Sequence, residues 1–247
     1  MNVGHSMNQA GNGQPAEGEQ LEPALVPEDD GTLSRELIAA FKPQAPQVEA
    51  MRALRTQLIL GSFSATANAL AIVSPASGDG RTFIAANLAI VYSQLGKRTL
   101  LVDAHLQNAR IHELFGVQNV RGLSAALMSG ATREPTVVAV PHFRNLFILP
   151  GGAQPLNADD LLAGESFARL SRSLTSQYDL VLFDTPPGLA SSGVDWIAHQ
   201  CGKALLVVRQ NKTRFTQADS FLKRINSRAE VVGSVMNSYR RPFWRLR

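Results

Sequence analysis

Short apolar runs alternate with longer amphipathic stretches along most of this 247-residue chain. Six of the short runs predict strands: Ala69 to Val73, Thr99 to Asp103, Leu146 to Leu149, Leu180 to Asp184, Ala204 to Arg209 and Val231 to Met236. They are almost continuously apolar rather than alternating, as strands covered on both faces are. The stretches between them predict helices, notably Thr82 to Leu95, Asn157 to Ser176, Val194 to Cys201 and Phe215 to Arg228. Another helix begins near Pro46, where Met51, Leu54 and Leu58 form an apolar stripe and Glu49, Arg52 and Arg55 a second, charged one. Strands separated by helices specify an α/β fold with a doubly wound, mostly parallel sheet, whose ligands gather at the carboxyl ends of the strands.

Charge divides the chain unevenly. Residues 1–31 hold six acids and no Lys or Arg, and are rich in Gly, Asn, Gln and Pro. They bury too little apolar surface to offset the entropy of ordering and are expected to be disordered. The remaining residues, with all 24 Lys and Arg and 14 of the 20 acids, carry a net +10. The expected organisation is an acidic arm and linker over 1–44, a nucleotide-binding domain over 45–238 and a basic, aromatic tail over 239–247. No run approaches the roughly 18 apolar residues of a spanning helix, and no basic segment followed by an apolar one opens the chain, so a cytoplasmic location is expected. Cys201, the single cysteine, excludes an internal disulfide and a cysteine-based metal site.

The most informative segment is Val73-Ser-Pro-Ala-Ser-Gly-Asp-Gly-Arg-Thr82, which follows a predicted strand and opens a predicted helix. Gly78 and Gly80 allow a tight turn that directs amides inward, and the helix start adds unpaired N–H groups and a positive dipole end, together a cradle for polyphosphate. Thr82 stands where a P-loop places its Mg²⁺-binding hydroxyl, whereas Arg81 replaces the usual Lys and Pro75 the first Gly. The candidate nucleotide-binding residues are Ser77, Gly78, Asp79, Gly80, Arg81, Thr82 and Phe83. Two further strands end in acids, Asp103 and Asp184. Either alone reads equally as a turn or cap residue, but in a parallel sheet both reach the rim that carries the loop. Mg²⁺ bound to phosphate needs only one or two carboxylates, so Thr82, Asp103 and Asp184 form a sufficient metal set.

These residues resemble the bacterial P-loop tyrosine kinases that regulate exopolysaccharide chain length. The resemblance runs from Leu33 to about Asn237. It rests on Gly78-Asp-Gly-Arg-Thr82, Leu100-Leu-Val-Asp103, Tyr178-Asp-Leu-Val-Leu-Phe-Asp-Thr-Pro-Pro187, Leu149-Pro-Gly-Gly-Ala-Gln-Pro-Leu-Asn157 and Glu49-x-x-Arg52-x-x-Arg55. Leu33-Ser-Arg-Glu-Leu37, Arg81 and Arg209-Gln-Asn-Lys-Thr-Arg214 look closest to the chain length determinant protein tyrosine kinase branch. The family implies ATP and Mg²⁺, transfer of the γ-phosphoryl group to tyrosine, and activation by a membrane-embedded chain-length protein that brings the chain to the membrane's inner face. By position Arg81 would hold phosphate, Thr82 and Asp184 would organise Mg²⁺, and Asp103 would support the metal or take the tyrosine proton. Glu49, Arg52 and Arg55 resemble the family's subunit-contact motif and imply a homo-oligomer.

Two departures bear on catalysis. His105 replaces the second acid of the family's Asp-x-Asp motif, with Gln107 and Ala109 where Arg and Pro are common; a surface loop position and a catalytic role are both open for it. The C-terminal tyrosine cluster is missing, leaving Tyr239, or a tyrosine on another protein, as acceptor. One alternative is therefore an ATP-binding regulator of the same export machinery without kinase activity. A partitioning or positioning ATPase is another, disfavoured by Ala76 where that class resembles a signature Lys; no nucleic-acid module accompanies the basic body.

Overall fold

The computed structural model describes residues 31–238 except 62–67 and 131–133. Residues 1–30 and the tail from 239 to 247, with Tyr239, lie outside the described residues. Strands β1 (Ala69–Val73), β2 (Thr99–Asp103), β3 (Val138–Ala139), β4 (Leu146–Leu149), β5 (Leu180–Asp184), β6 (Lys203–Arg209) and β7 (Glu230–Asn237) form one seven-stranded sheet in the order β3-β4-β2-β5-β1-β6-β7. All pairs are parallel except β3 with β4. β1, β2 and β5 are buried along their whole length, which accounts for their unbroken apolar sequences.

Helices cover both faces. One core cluster lies between the sheet and α2 (Pro46–Gly61) and α3 (Arg81–Ser93); the other packs beneath α6 (Ala158–Ala163), α7 (Glu165–Gln177), α8 (Gly193–Cys201) and α9 (Phe215–Asn226). The long helix expected over Asn157 to Ser176 is two helices, because Gly164 is extended (φ −74°, ψ 156°) and restarts the chain as the N-cap of α7. Short helices α1 (Ile38–Phe41), α4 (Ile111–Phe115) and α5 (Leu123–Met128), together with β3, escape the sequence pattern because none is long enough to show a period.

The folded body starts before residue 45, which corrects the boundary drawn from composition. Leu33, Leu37, Ala39 and Ala40 are buried in the α2/α3 core. Asn87 fastens this segment from inside α3: its Oδ1 accepts from the Ala39 amide at 2.9 Å, and its Nδ2 donates to Glu36 O at 3.0 Å and Phe83 O at 2.9 Å. A fully buried amide side chain with three satisfied bonds specifies this docking, since losing any partner strands a buried polar atom. Cys201 is buried at the end of α8, and among the described residues no helix is long and apolar enough to cross a membrane.

Candidate nucleotide site

The sheet order decides what meets at the site. β1 runs into the glycine-rich loop and lies between β5 and β6, with β2 beyond β5. Asp103 and Asp184 are Cα partners in the β2–β5 register, so both carboxylates arrive at the carboxyl rim on one side of the loop. Gly78 (φ +75°) and Gly80 (φ +103°) take left-handed conformations there, and α3 begins at Arg81 with Gly80 as its cap. The amides of Gly78, Gly80, Arg81 and Thr82 donate to no acceptor among the described residues, as the orphan donors of a helix start do when they await an anion.

Thr82 Oγ1 donates to Asp184 Oδ2 at 2.6 Å. Asp103 Oδ2 accepts the amides of Arg110 and Ile111, both at 2.9 Å, and so caps α4. The capping role and the site role thus fall to different oxygens of one residue, because Oδ1 of Asp103 is buried without a partner, as is Oδ1 of Asp184. Burial pushes both carboxyls above the ordinary carboxylate range, Asp103 further because Asp184 repels it; Arg81 and the Thr82 hydroxyl draw Asp184 part of the way back. Two buried, unpartnered carboxylate oxygens beside a P-loop hydroxyl fit a hard divalent cation that takes its other ligands from phosphate and water. No cluster of three His, Cys, Asp or Glu side chains that could hold a metal by protein groups alone occurs among the described residues.

Arg81 is 5% exposed and turned into the protein. Its Nε donates to Thr185 O at 2.9 Å and its Nη1 to Ala76 O at 3.0 Å and to Ser74 Oγ. The guanidinium therefore ties the start of the loop to the end of β5, and a rigid planar fork suits two divergent carbonyls as a single ammonium does not. Asp79 is fully buried, and its carboxylate accepts from the Ala76 amide at 2.9 Å and the Thr213 hydroxyl at 3.1 Å, so it stiffens the loop from within. Ser77 is exposed on the loop, and Phe83 packs its ring against the α2/α3 core, leaving its main chain to the helix start. His105 is half-buried beside these groups, and burial with the nearby Arg81 charge lowers its ring to about 4, so it is neutral near pH 7.

Sequence reasoning missed Ser74, Thr185, Thr213 and Asn237 as parts of the site. Ser74 and Thr185 lie inside segments already singled out, and being polar while directly continuing apolar strands is the signal they offered. Asn119 gave none: it clamps Gly152, accepting its amide at 2.7 Å and donating to its carbonyl at 3.1 Å, from a distant loop. In α2, Arg52 bonds Glu49 Oε2 at 3.2 Å and Pro43 O at 2.9 Å, and Arg55 donates to Val91 O at 2.8 Å. Both arginines of the charged stripe are thus tied into their own chain, while the Glu49 side chain is 73% exposed.

Comparison with known proteins agrees with this geometry. A model of the AAA domain matches residues 67–231. Tyrosine-protein kinase YwqD of Bacillus subtilis is 31% identical over 206 residues, covering 83% of this chain and 86% of the relative. Tyrosine-protein kinase wzc of Salmonella typhi is 36% identical over 82% of this chain, which spans only 28% of that relative's length. The kinase domain of the Escherichia coli tyrosine kinase ETK superposes with a TM-score of 0.77 at 29% identity, covering 83% of this chain and 82% of the other. The septum site-determining protein MinD of Pyrococcus horikoshii, solved with Mg-ADP, gives 0.60 at 25% identity over 71% and 72%. With its P-loop, paired acids and doubly wound sheet, the chain belongs to the bacterial P-loop tyrosine-protein kinases.

Proposed function

We propose that this chain binds MgATP and transfers the γ-phosphoryl group to tyrosine, acting with a membrane-embedded chain-length protein in exopolysaccharide polymerisation and export. The observation that carries the reading is the pairing of Asp103 with Asp184 beside Thr82, each acid keeping one buried oxygen free. The amides from Gly78 to Thr82 would hold the phosphates. Mg²⁺, when bound by Thr82 and Asp184, would compensate charge on the transferring phosphoryl group. Asp184 keeps Thr82 Oγ1 oriented by its 2.6 Å bond, and Asp103, anchored through Oδ2 by the α4 amides, holds Oδ1 where it can take the tyrosine proton. The tyrosine oxygen forms its bond to phosphorus as the bond to the β-phosphate oxygen breaks, and ADP leaves. Burial raises the proton affinity of Asp103, which suits a proton acceptor.

A second reading is favoured by one observation: Arg81, the cation expected to grip phosphate, is engaged with Thr185 O, Ala76 O and Ser74. An ATP-binding regulator of the same machinery needs the amides and not a mobile cation. Purified protein incubated with MgATP, with and without the cytoplasmic segment of its membrane partner, separates the two by mass spectrometry. Phosphotyrosine that disappears in Asp103→Asn and Asp184→Asn supports the kinase and names the acceptor, Tyr239 or another. Phosphotyrosine unchanged in both variants rejects the assigned site, and ATP binding without phosphotyrosine under any activation selects the regulator.

A further inference from the structure

The outer side of the P-loop is gripped by residues that the phosphate site as described does not use. β6 and β7 lie on the side of β1 opposite to β5 and β2, so their carboxyl ends reach the loop from the side away from the acids. Arg209 and Asn237, which end these strands, are register partners. Arg209 Nη1 donates to Gly78 O at 2.7 Å, Lys212 Nζ donates to Ser77 O, and Asn237 Nδ2 donates to Asp79 O at 3.1 Å. Thr213 closes the turn: its Oγ1 accepts from the Arg209 amide at 2.8 Å and donates to the buried Asp79 carboxylate at 3.1 Å. Asn211, left-handed at φ 60°, lets the chain bend back between them.

The three carbonyls belong to consecutive peptide groups. In a trans peptide the C=O of one residue and the N–H of the next point in opposite directions, and no cis peptide occurs among the described residues. Holding the Ser77, Gly78 and Asp79 carbonyls towards β6 and β7 therefore turns the Gly78, Asp79 and Gly80 amides the other way, towards the acids. Two of the three donors are cations, whose charge-assisted bonds are the stronger kind and polarise each peptide dipole in the direction that favours an anion at its N–H. Glycines at 78 and 80 would otherwise let these planes rotate, since neither has a Cβ to restrict its torsions.

We propose that the β6–α9 turn is a strap that sets the P-loop amides for phosphate, with Arg209 and Lys212 as positioning residues that act through peptide planes without touching the nucleotide. The proposal rests on the nucleotide-binding reading for its consequence and on ligand-free geometry for its mechanism, and the test separates the two. The proteins are wild type, Arg209→Met, Lys212→Met, the double variant and Lys212→Arg. The first measurement is the amide resonances and hydrogen exchange of residues 78–80 without nucleotide; the second is calorimetric affinity for ADP and for adenosine.

In the Met variants these amides shift and exchange faster before any ligand is added, and Lys212→Arg restores them. ADP binding weakens about tenfold in Arg209→Met, about threefold in the more exposed Lys212→Met and about thirtyfold in the double variant, while adenosine affinity is unchanged. Weakened ADP binding with unperturbed ligand-free amides would make the cations direct phosphate ligands and overturn the strap. ADP affinity equal to wild type in both Met variants overturns it as well. A wild type that binds no ADP refutes the nucleotide reading, and the ligand-free amides then decide the strap alone.

Discussion

Asp103 and Asp184 face each other in adjacent parallel strands, each with one carboxylate oxygen bonded and the other buried with no partner. Burial raises both above the ordinary carboxylate value, and Asp184 raises Asp103 further, so the ligand-free native state binds more protons than the unfolded chain. Stability from this pair is complete below the ordinary carboxylate range and is lost as pH rises through the raised values. Urea unfolding of the metal-free protein should show it as a loss from about pH 4 to about pH 8, smaller in Asp103→Asn, where only the Asp184 part remains. Asn retains an oxygen for the two α4 amides, so this variant should gain about 1 kcal/mol over wild type near pH 8, a gain that added Mg²⁺ and ADP reduce, because the bound cation offsets a carboxylate repulsion that only wild type has.

Arg81 supplies the next test. Its guanidinium satisfies the carbonyls of Thr185 and Ala76 from a position that is almost wholly buried. Arg81→Ala leaves both acceptors dry and should cost about 2 to 4 kcal/mol in thermal or urea unfolding. Arg81→Lys keeps a charge but cannot span two divergent carbonyls, so it should cost less, about 1 kcal/mol, while freeing an ammonium for the β- and γ-phosphates. The expected signature in a phosphotyrosine assay is therefore opposite in sign to the stability change: Arg81→Lys loses melting temperature and gains turnover. A loss of both would mean that the arginine itself contacts the transferring phosphate.

Gly80 joins the strap to the helix start. A Cβ there would stand 2.0 Å from Asn237 Nδ2, and φ is +103°, a conformation that side-chain-bearing residues rarely adopt. Gly80→Ala must displace Asn237 from Asp79 O and strain the backbone, a combined loss of about 2 to 3 kcal/mol. Differential scanning calorimetry reads the stability, and ADP titration should show binding reduced at least tenfold, because the displaced Asn237 holds the peptide whose amide belongs to Gly80.

The sheet and the site were legible to different degrees, for physical reasons. Strands such as Leu180–Asp184 are short, apolar and closed by an acid, and a parallel sheet needs no more than that to bring Asp103 and Asp184 to one rim. The glycine positions of the loop were legible because backbone freedom is written in residue type. What Arg81 touches was not: its partners are main-chain carbonyls and Ser74, and a carbonyl has no sequence signature. The same holds for Arg209 and Lys212, which act on carbonyls 131 and 135 residues away in the chain. Residues 33–41 escaped because their burial depends on Asn87, a polar residue in a helix whose pattern gives no hint of what it grips.

Glu49, Arg52 and Arg55 give a prediction that separates folding from assembly. Arg55 lies in a partly buried place where desolvation and the neighbouring Arg52 lower its proton affinity, and it donates to Val91 O, so it braces α2 against α3. Arg55→Ala removes that brace and should cost about 1 kcal/mol in urea unfolding whether or not the chain self-associates. Glu49 is different: its contact is an i, i+3 pair with Arg52 on an exposed helix face, the weakest class of ion pair. Glu49→Arg should leave the unfolding midpoint within error of wild type. If α2 carries a subunit contact, that substitution sets three like charges on one stripe and shifts the sedimentation coefficient towards the monomer, an effect that high salt should weaken in both proteins. An unchanged sedimentation profile in Glu49→Arg, with Arg55→Ala destabilised as expected, would assign the motif to intrachain bracing alone.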